Sequence, residues 1–171
     1  ISASLVGSEM CIRDRLKTEF LATDWRRGAD PQAIEDRLRA DTDGKIKAVC
    51  VVHNETSTGS TSAIAEVRAA IDAVSHNALL LVDTISSLAS IDFRHDEWGV
   101  DVTVSGSQKG LMLPPGLSFN AVSEKALSVS KASGMRRSYW DWSEQIAANA
   151  DGAFPYLSLI HISEPTRLAE I

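Results

Sequence analysis

The chain predicts an α/β fold with a mainly parallel sheet and flanking helices, and three observations predict it. Apolar, β-branched runs recur at residues 46–52, 78–82 and 100–104. Between the first two lies a segment of helical rather than alternating period. Each run leaves into a polar or glycine-containing loop: HNETSTGS, DTISS and SGSQKG. Strand, polar loop, helix, strand is the pattern of domains whose helices cover a parallel sheet.

The elements follow in order. In DWRRGADPQAIEDRLRAD a loop enters a helix, with Asp30 as N-cap and Pro31 at the first helical position. Ala33, Ile34, Leu38 and Ala40 give that helix a modest apolar face, and Gly44 ends the region. Residues 46–52 form an apolar run, interrupted only by Lys47, as expected of a strand buried on both faces. Ile64, Val67, Ala70, Ile71 and Val74 share a helical face, with Ser62 as the candidate cap and His76-Asn77 as the breaker. Residues 78–82 form the second strand, ending at Asp83. A longer irregular connection with a short helical turn leads to the third strand, 100–104. Pro114-Pro115 excludes regular structure across 111–116. A fourth strand at 117–122 and a helix at 124–132 complete the pattern.

The two ends of the chain stand apart. Residues 5–15 read LVGSEMCIRDR and residues 157–167 read LSLIHISEPTR. One possible coding of the first, read on the complementary strand, translates as the second. They resemble the translated adapter of a transposase-based sequencing library, and such scars are excluded from fold reasoning. The expected organisation is therefore an adapter-like segment at 1–15, a partial cofactor-binding domain at 16–156 and a second adapter-like segment at 157–171.

The composition is that of an ordinary soluble globular protein, 44% hydrophobic and 23% charged. The net charge of -6 stays negative once both ends are set aside, which argues against nucleic acid as a partner. No apolar stretch approaches the length of a membrane span, and a cytoplasmic location is expected. Of the two cysteines, Cys11 lies in the N-terminal segment. Cys50 lies within an apolar run and reads as a small buried hydrophobe. No His, Asp or Glu cluster has metal-ligand spacing.

Asp83 and Lys109 carry the chemistry. In open α/β sheets, ligands bind outside the carboxyl ends of the strands, and Thr56, Asp83 and Lys109 all fall there. An aspartate and a lysine so placed suit pyridoxal 5'-phosphate: the amine condenses with its aldehyde and the carboxylate keeps its pyridine nitrogen protonated. Small neighbours (Ser105, Gly106, Ser107, Gly110) let the backbone pass close to a planar ligand, and apolar flanks favour a neutral amine. The ordinary alternatives are a solvated surface lysine and an Asp83 that caps the following turn. The hydroxyls of HNETSTG serve equally as turn formers or as donors to a cofactor oxygen. His53 reads as a structural residue at a strand end, and His76 and His95 as exposed loop residues.

HNETSTG, LLLVDTISSL, HDEWGVDVTVSGSQKGLMLPPGLSF and YWDW together resemble the class V aminotransferases of fold type I, in particular the alanine-glyoxylate and serine-glyoxylate group. The resemblance implies the large domain of an aspartate aminotransferase-like enzyme that takes a small amino acid donor and a 2-oxo acid acceptor, glyoxylate, and works as a homodimer. It implies Lys109 as the Schiff-base lysine, Asp83 on the pyridine nitrogen, Ile85 against the ring, Thr56 at the ring oxygen and Gln108 near the phosphate. It places the phosphate loop and stacking aromatic upstream, and the carboxylate-binding arginine downstream.

The lysine loop does not separate serine from aspartate, 3-hydroxyaspartate, alanine or aminophosphonate donors. Cysteine desulfurases share the fold, but usually have histidine where Gln108 stands and a mobile catalytic cysteine, unlike Cys50. A truncated chain that binds no cofactor is the non-enzymatic alternative.

Overall fold

A computed structural model of the chain describes residues 17–134 and 141–153. Both adapter-like segments lie outside the described residues, as do Tyr139 and Trp140 of the YWDW motif.

Helix α1, Pro31–Arg39, begins as its sequence dictates. The Asp30 carboxylate accepts from the Gln32 amide at 3.0 Å, and Pro31 occupies the first turn, where no amide donor is needed. Arg37 and Arg39 in the last turn complement the helix dipole. Ile34 and Leu38, one turn apart, are its buried residues and pack against α2, Ile64–Ala73. There Ile64, Val67, Ala70 and Ile71 are buried, on the face that the period assigns. The expected cap is corrected: Ala63 stands at the N-cap position and no side chain bonds the helix end. Ser62 is occupied elsewhere. Its hydroxyl donates to the Val52 carbonyl at 2.8 Å and accepts from the Ala29 amide at 3.0 Å, tying the segment before α1 to the end of β1.

Strands β1 (Ala48–Val52), β2 (Leu79–Asp83), β3 (Val102–Gly106) and β4 (Ser118–Val122) form one sheet in that order. The first three run parallel and β4 runs antiparallel to β3. Val51 pairs with Val82 and Val82 with Thr103, so these three share one face. Val51 and Val82, together with Leu80, meet α1 and α2 in a core completed by Val100. Leu80 and Ile71 are fully buried, each worth roughly 1.5–3 kcal/mol over an exposed side chain.

The opposite face is open along β1 and β4 among the described residues, whereas Leu81 is half-buried and its β3 partner Val102 is buried. Ala48, Cys50 and Val52 alternate outward along β1, and most of β4 is exposed. The expectation of a strand buried on both faces is therefore corrected to burial on one. An apolar run fits either state, because residue type does not say what covers a face. Cys50 is accordingly exposed, although the apolar side chains around it push its thiol above the ordinary range by desolvation.

Helix α3 (Glu124–Ala132) matches its predicted span, capped by Ser123, whose hydroxyl accepts from the Ala126 amide. Helix α4 (Trp142–Ala150) was not foreseen, although Asp141 caps it by accepting from the Ser143 amide. His76 and His95 are partly buried rather than exposed. His76 Nε2 lies 3.2 Å from Asp41 and His95 Nδ1 lies 2.7 Å from the Thr103 hydroxyl. No helix among the described residues is long and apolar enough to cross a membrane.

Candidate functional site

The strand order places three polar exits side by side at one end of the sheet. The loop leaving β1 carries Thr56, the end of β2 carries Asp83, and the turn leaving β3 carries Lys109. All three residues are exposed.

Asp83 is fixed from both neighbours. Its carbonyl accepts from the His53 amide at 2.9 Å, and the next residue, Thr84, donates through its amide to the Val104 carbonyl at 2.9 Å. The side chain does close a turn, as one alternative expected: Oδ1 accepts from the Ile85 amide at 2.8 Å. Oδ2 makes no hydrogen bond among the described residues. Ile85 is partly exposed beside it.

Lys109 sits on a tightly held loop. Ser107 is fully buried, and its hydroxyl donates to the Pro114 carbonyl at 2.6 Å and accepts from the Leu117 amide at 3.3 Å. Its backbone joins the Leu117 carbonyl and the Leu113 amide, while the Met112 amide closes onto the Lys109 carbonyl. The ammonium itself makes no hydrogen bond or ion pair among the described residues. The expected apolar enclosure of this amine is absent among them, since Gln108 and Lys109 are both exposed.

Two glycines let this loop pass closely. A β-carbon on Gly110 would lie 2.2 Å from the Leu88 carbonyl oxygen and 2.4 Å from the Ser90 hydroxyl, so the lysine loop is pressed against the segment after Asp83. A β-carbon on Gly106 would lie 3.1 Å from Gln108 Oε1, which folds back over that strand end. The structure thus juxtaposes the Asp83 and Lys109 segments, while Thr56 remains at the tip of its own loop.

An amine unpaired and a carboxylate oxygen left open among the described residues, beside glycine-lined backbone, fit pyridoxal 5'-phosphate. The donor set offers an attacking nitrogen, an acceptor for a protonated ring nitrogen and little steric bulk between strand ends. A cluster suited to a metal ion is absent among the described residues.

One buried carboxylate escaped sequence reasoning. Asp101 accepts from the Leu80 amide and from the Ser123 hydroxyl, both at 2.9 Å, with Arg68 Nη1 at 3.7 Å and Lys125 Nζ at 3.8 Å. It lies at the start of β3, opposite the lysine end, and fastens β2 to the strand end before α3. An aspartate between Val100 and Val102 was the available signal.

Comparison with known proteins shows the family to which the chain is similar. The model of the family "Aminotransferase class-V" matches residues 2–148. A serine–glyoxylate aminotransferase of Methylorubrum extorquens is 53% identical over 138 residues, 78% of this chain and 34% of its own length. An L-aspartate–glyoxylate aminotransferase of Paracoccus denitrificans is 45% identical over 86% of this chain and 37% of its own. Among solved structures, an aspartate aminotransferase of Thermus thermophilus superposes with a TM-score of 0.73 at 28% identity, covering 89% of this chain and 41% of that one. The chain spans little more than a third of the length of these curated relatives.

Proposed function

The chain belongs to the class V aminotransferases, a pyridoxal phosphate-dependent family, and from that premise we propose that it is part of the large domain of an enzyme moving an amino group from serine, or a similar small amino acid, to glyoxylate. The observation that carries the reading is the Lys109 amine, unpaired among the described residues, on a loop packed against the segment that follows Asp83. The names borne by the relatives from Methylorubrum and Paracoccus support glyoxylate as acceptor and leave the donor open between serine and aspartate.

When bound, the cofactor supplies an electron sink for the bonds around the substrate α-carbon. Lys109 would provide the amine that holds its aldehyde carbon and would carry the proton at that site. Asp83, through the carboxylate oxygen left open by the Ile85 turn, would accept from the ring nitrogen and keep it protonated. Ile85 would pack on the ring, the Thr56 hydroxyl would serve the ring oxygen, and Gln108 would lie toward the phosphate. The whole enzyme is a cytoplasmic homodimer in this reading. Residues 1–15 and 157–171 are foreign to it. Their opposite-strand relationship supports this, although the family match begins within the first of them, and a long read of the source DNA across both junctions tests it.

The test of function uses the 171-residue chain with pyridoxal 5'-phosphate. Borohydride reduction should fix the cofactor on Lys109, located by peptide mapping, and Lys109→Ala should abolish the adduct. Labelling at other lysines, or none, would sink the proposal.

A further inference from the structure

We propose that His53 is a positioning residue for Asp83, acting through a clasp between the β1 exit and the turn after β2. The inference rests on the reading of Asp83 as the partner of the cofactor nitrogen.

Two consecutive residues leaving β1 grip two consecutive serines beyond Asp83. His53 Nδ1 lies 2.9 Å from the Ser87 hydroxyl. The Asn54 amide group donates to the Ser86 hydroxyl at 3.0 Å, and that hydroxyl donates to the Asn54 carbonyl at 2.8 Å. The gripped turn begins with Ile85, whose amide holds Asp83 Oδ1 at 2.8 Å. The path runs from the His53 ring to Ser87, from the turn to the Ile85 amide, and from that amide to the carboxylate. One Asp83 oxygen is thereby engaged and the other left open.

The surroundings keep the clasp closed. His53 and Ser87 are essentially buried. Phe93 and Trp98 pack on the ring, with centroids at 5.2 and 6.1 Å. Desolvation holds the imidazole below its ordinary range against the opposing charge of Asp92, which favours the neutral ring. A neutral ring offers one donor and one acceptor, and either arrangement at Nδ1 suits a hydroxyl. A residue serving only to fill this aromatic pocket would need no nitrogen there.

That distinction sets the experiment, done on the full chain. His53→Phe keeps a ring and removes the hydrogen bond; His53→Asn removes the ring and retains a polar group near the Nδ1 position. Amide hydrogen exchange at Ile85 reports the hold on Asp83 without any cofactor. His53→Phe and Ser87→Ala should each speed that exchange about tenfold, the loss of one buried hydrogen bond, with the β3–β4 amides unchanged. His53→Asn should restore part of the protection, and the His53→Phe/Ser87→Ala double variant should exchange no faster than either single one. Unchanged exchange at Ile85 in His53→Phe, or additive effects in the double variant, would overturn the clasp. In the cofactor-loaded chain, His53→Phe should alter the visible absorbance in the same direction as Asp83→Asn. A wild-type chain that takes no cofactor on Lys109 defeats the proposed function alone, since the exchange result judges the clasp independently.

Discussion

The buried Ser107 hydroxyl donates to the Pro114 carbonyl across the loop that presents Lys109, at 2.6 Å. That bond, with the Leu117 amide on the same oxygen, makes the loop a closed unit rather than a free tether. Ser107→Ala would leave a carbonyl and an amide without this partner. The expected cost is about 1–3 kcal/mol in urea unfolding, with a lower yield of borohydride-fixed cofactor on Lys109.

Gly110→Ala should be worse for the site than for the sheet. Its β-carbon would overlap the Leu88 carbonyl oxygen, which is backbone and cannot turn aside. The lysine loop must lift from the segment after Asp83. Cofactor incorporation should be lost while far-ultraviolet circular dichroism remains near that of the parent chain.

The N-terminus of α2 invites stabilisation. Ala63 is exposed at the cap position and offers no acceptor to the first amides. Ala63→Asp should raise stability by about 0.5–2 kcal/mol, read from the urea midpoint. No change would mean that Asp at this cap position makes no useful bond.

Stability should fall on mild acidification because of His53. Burial lowers its folded-state pKa below the ordinary 6.5. Below about 6.5 the unfolded chain takes up a proton that the folded chain refuses, so stability drops as pH falls toward the folded value; above 6.5 the full contribution is present. The carboxylates Glu19, Asp24, Asp41 and Glu55 are all held below their ordinary values, so their contributions fade at more acidic pH. Urea midpoints at about pH 7.5 and 5.5 avoid the carboxylates, and the part of the difference lost in His53→Phe is the contribution of this histidine.

A core substitution fixes the scale for these effects. Leu80 is fully buried between α2 and the sheet. Leu80→Ala should cost about 2–5 kcal/mol, measured by the same urea unfolding.

What the sequence disclosed was mostly local. Asp30-Pro31 announced α1, Ser123 the start of α3, and the apolar runs the strands, because caps and periods depend on neighbours in the chain. Ser62 misled because its hydroxyl prefers Val52 and Ala29, partners made available only by folding. His76 looked like a loop residue until Asp41 reached it from the end of α1. Asp83 and Lys109 were legible as strand exits, whereas the pressure of Gly110 on Leu88 and the grip of His53 on Ser87 depend on the packing of distant segments.

The antiparallel turn from β3 to β4 gives the two halves of the site different histories. The loop bearing Lys109 is spanned by a single hairpin ladder, in which Gly106 pairs with Ser118 and Val102 with Val122. Its ends meet by closing a short stretch of chain. Asp83 is set only when β2 lies between β1 and β3, which requires two parallel crossovers. Loop closure over longer separations is slower. During refolding the lysine hairpin should therefore be in place first, and the carboxylate should follow once β2 has joined both of its neighbours.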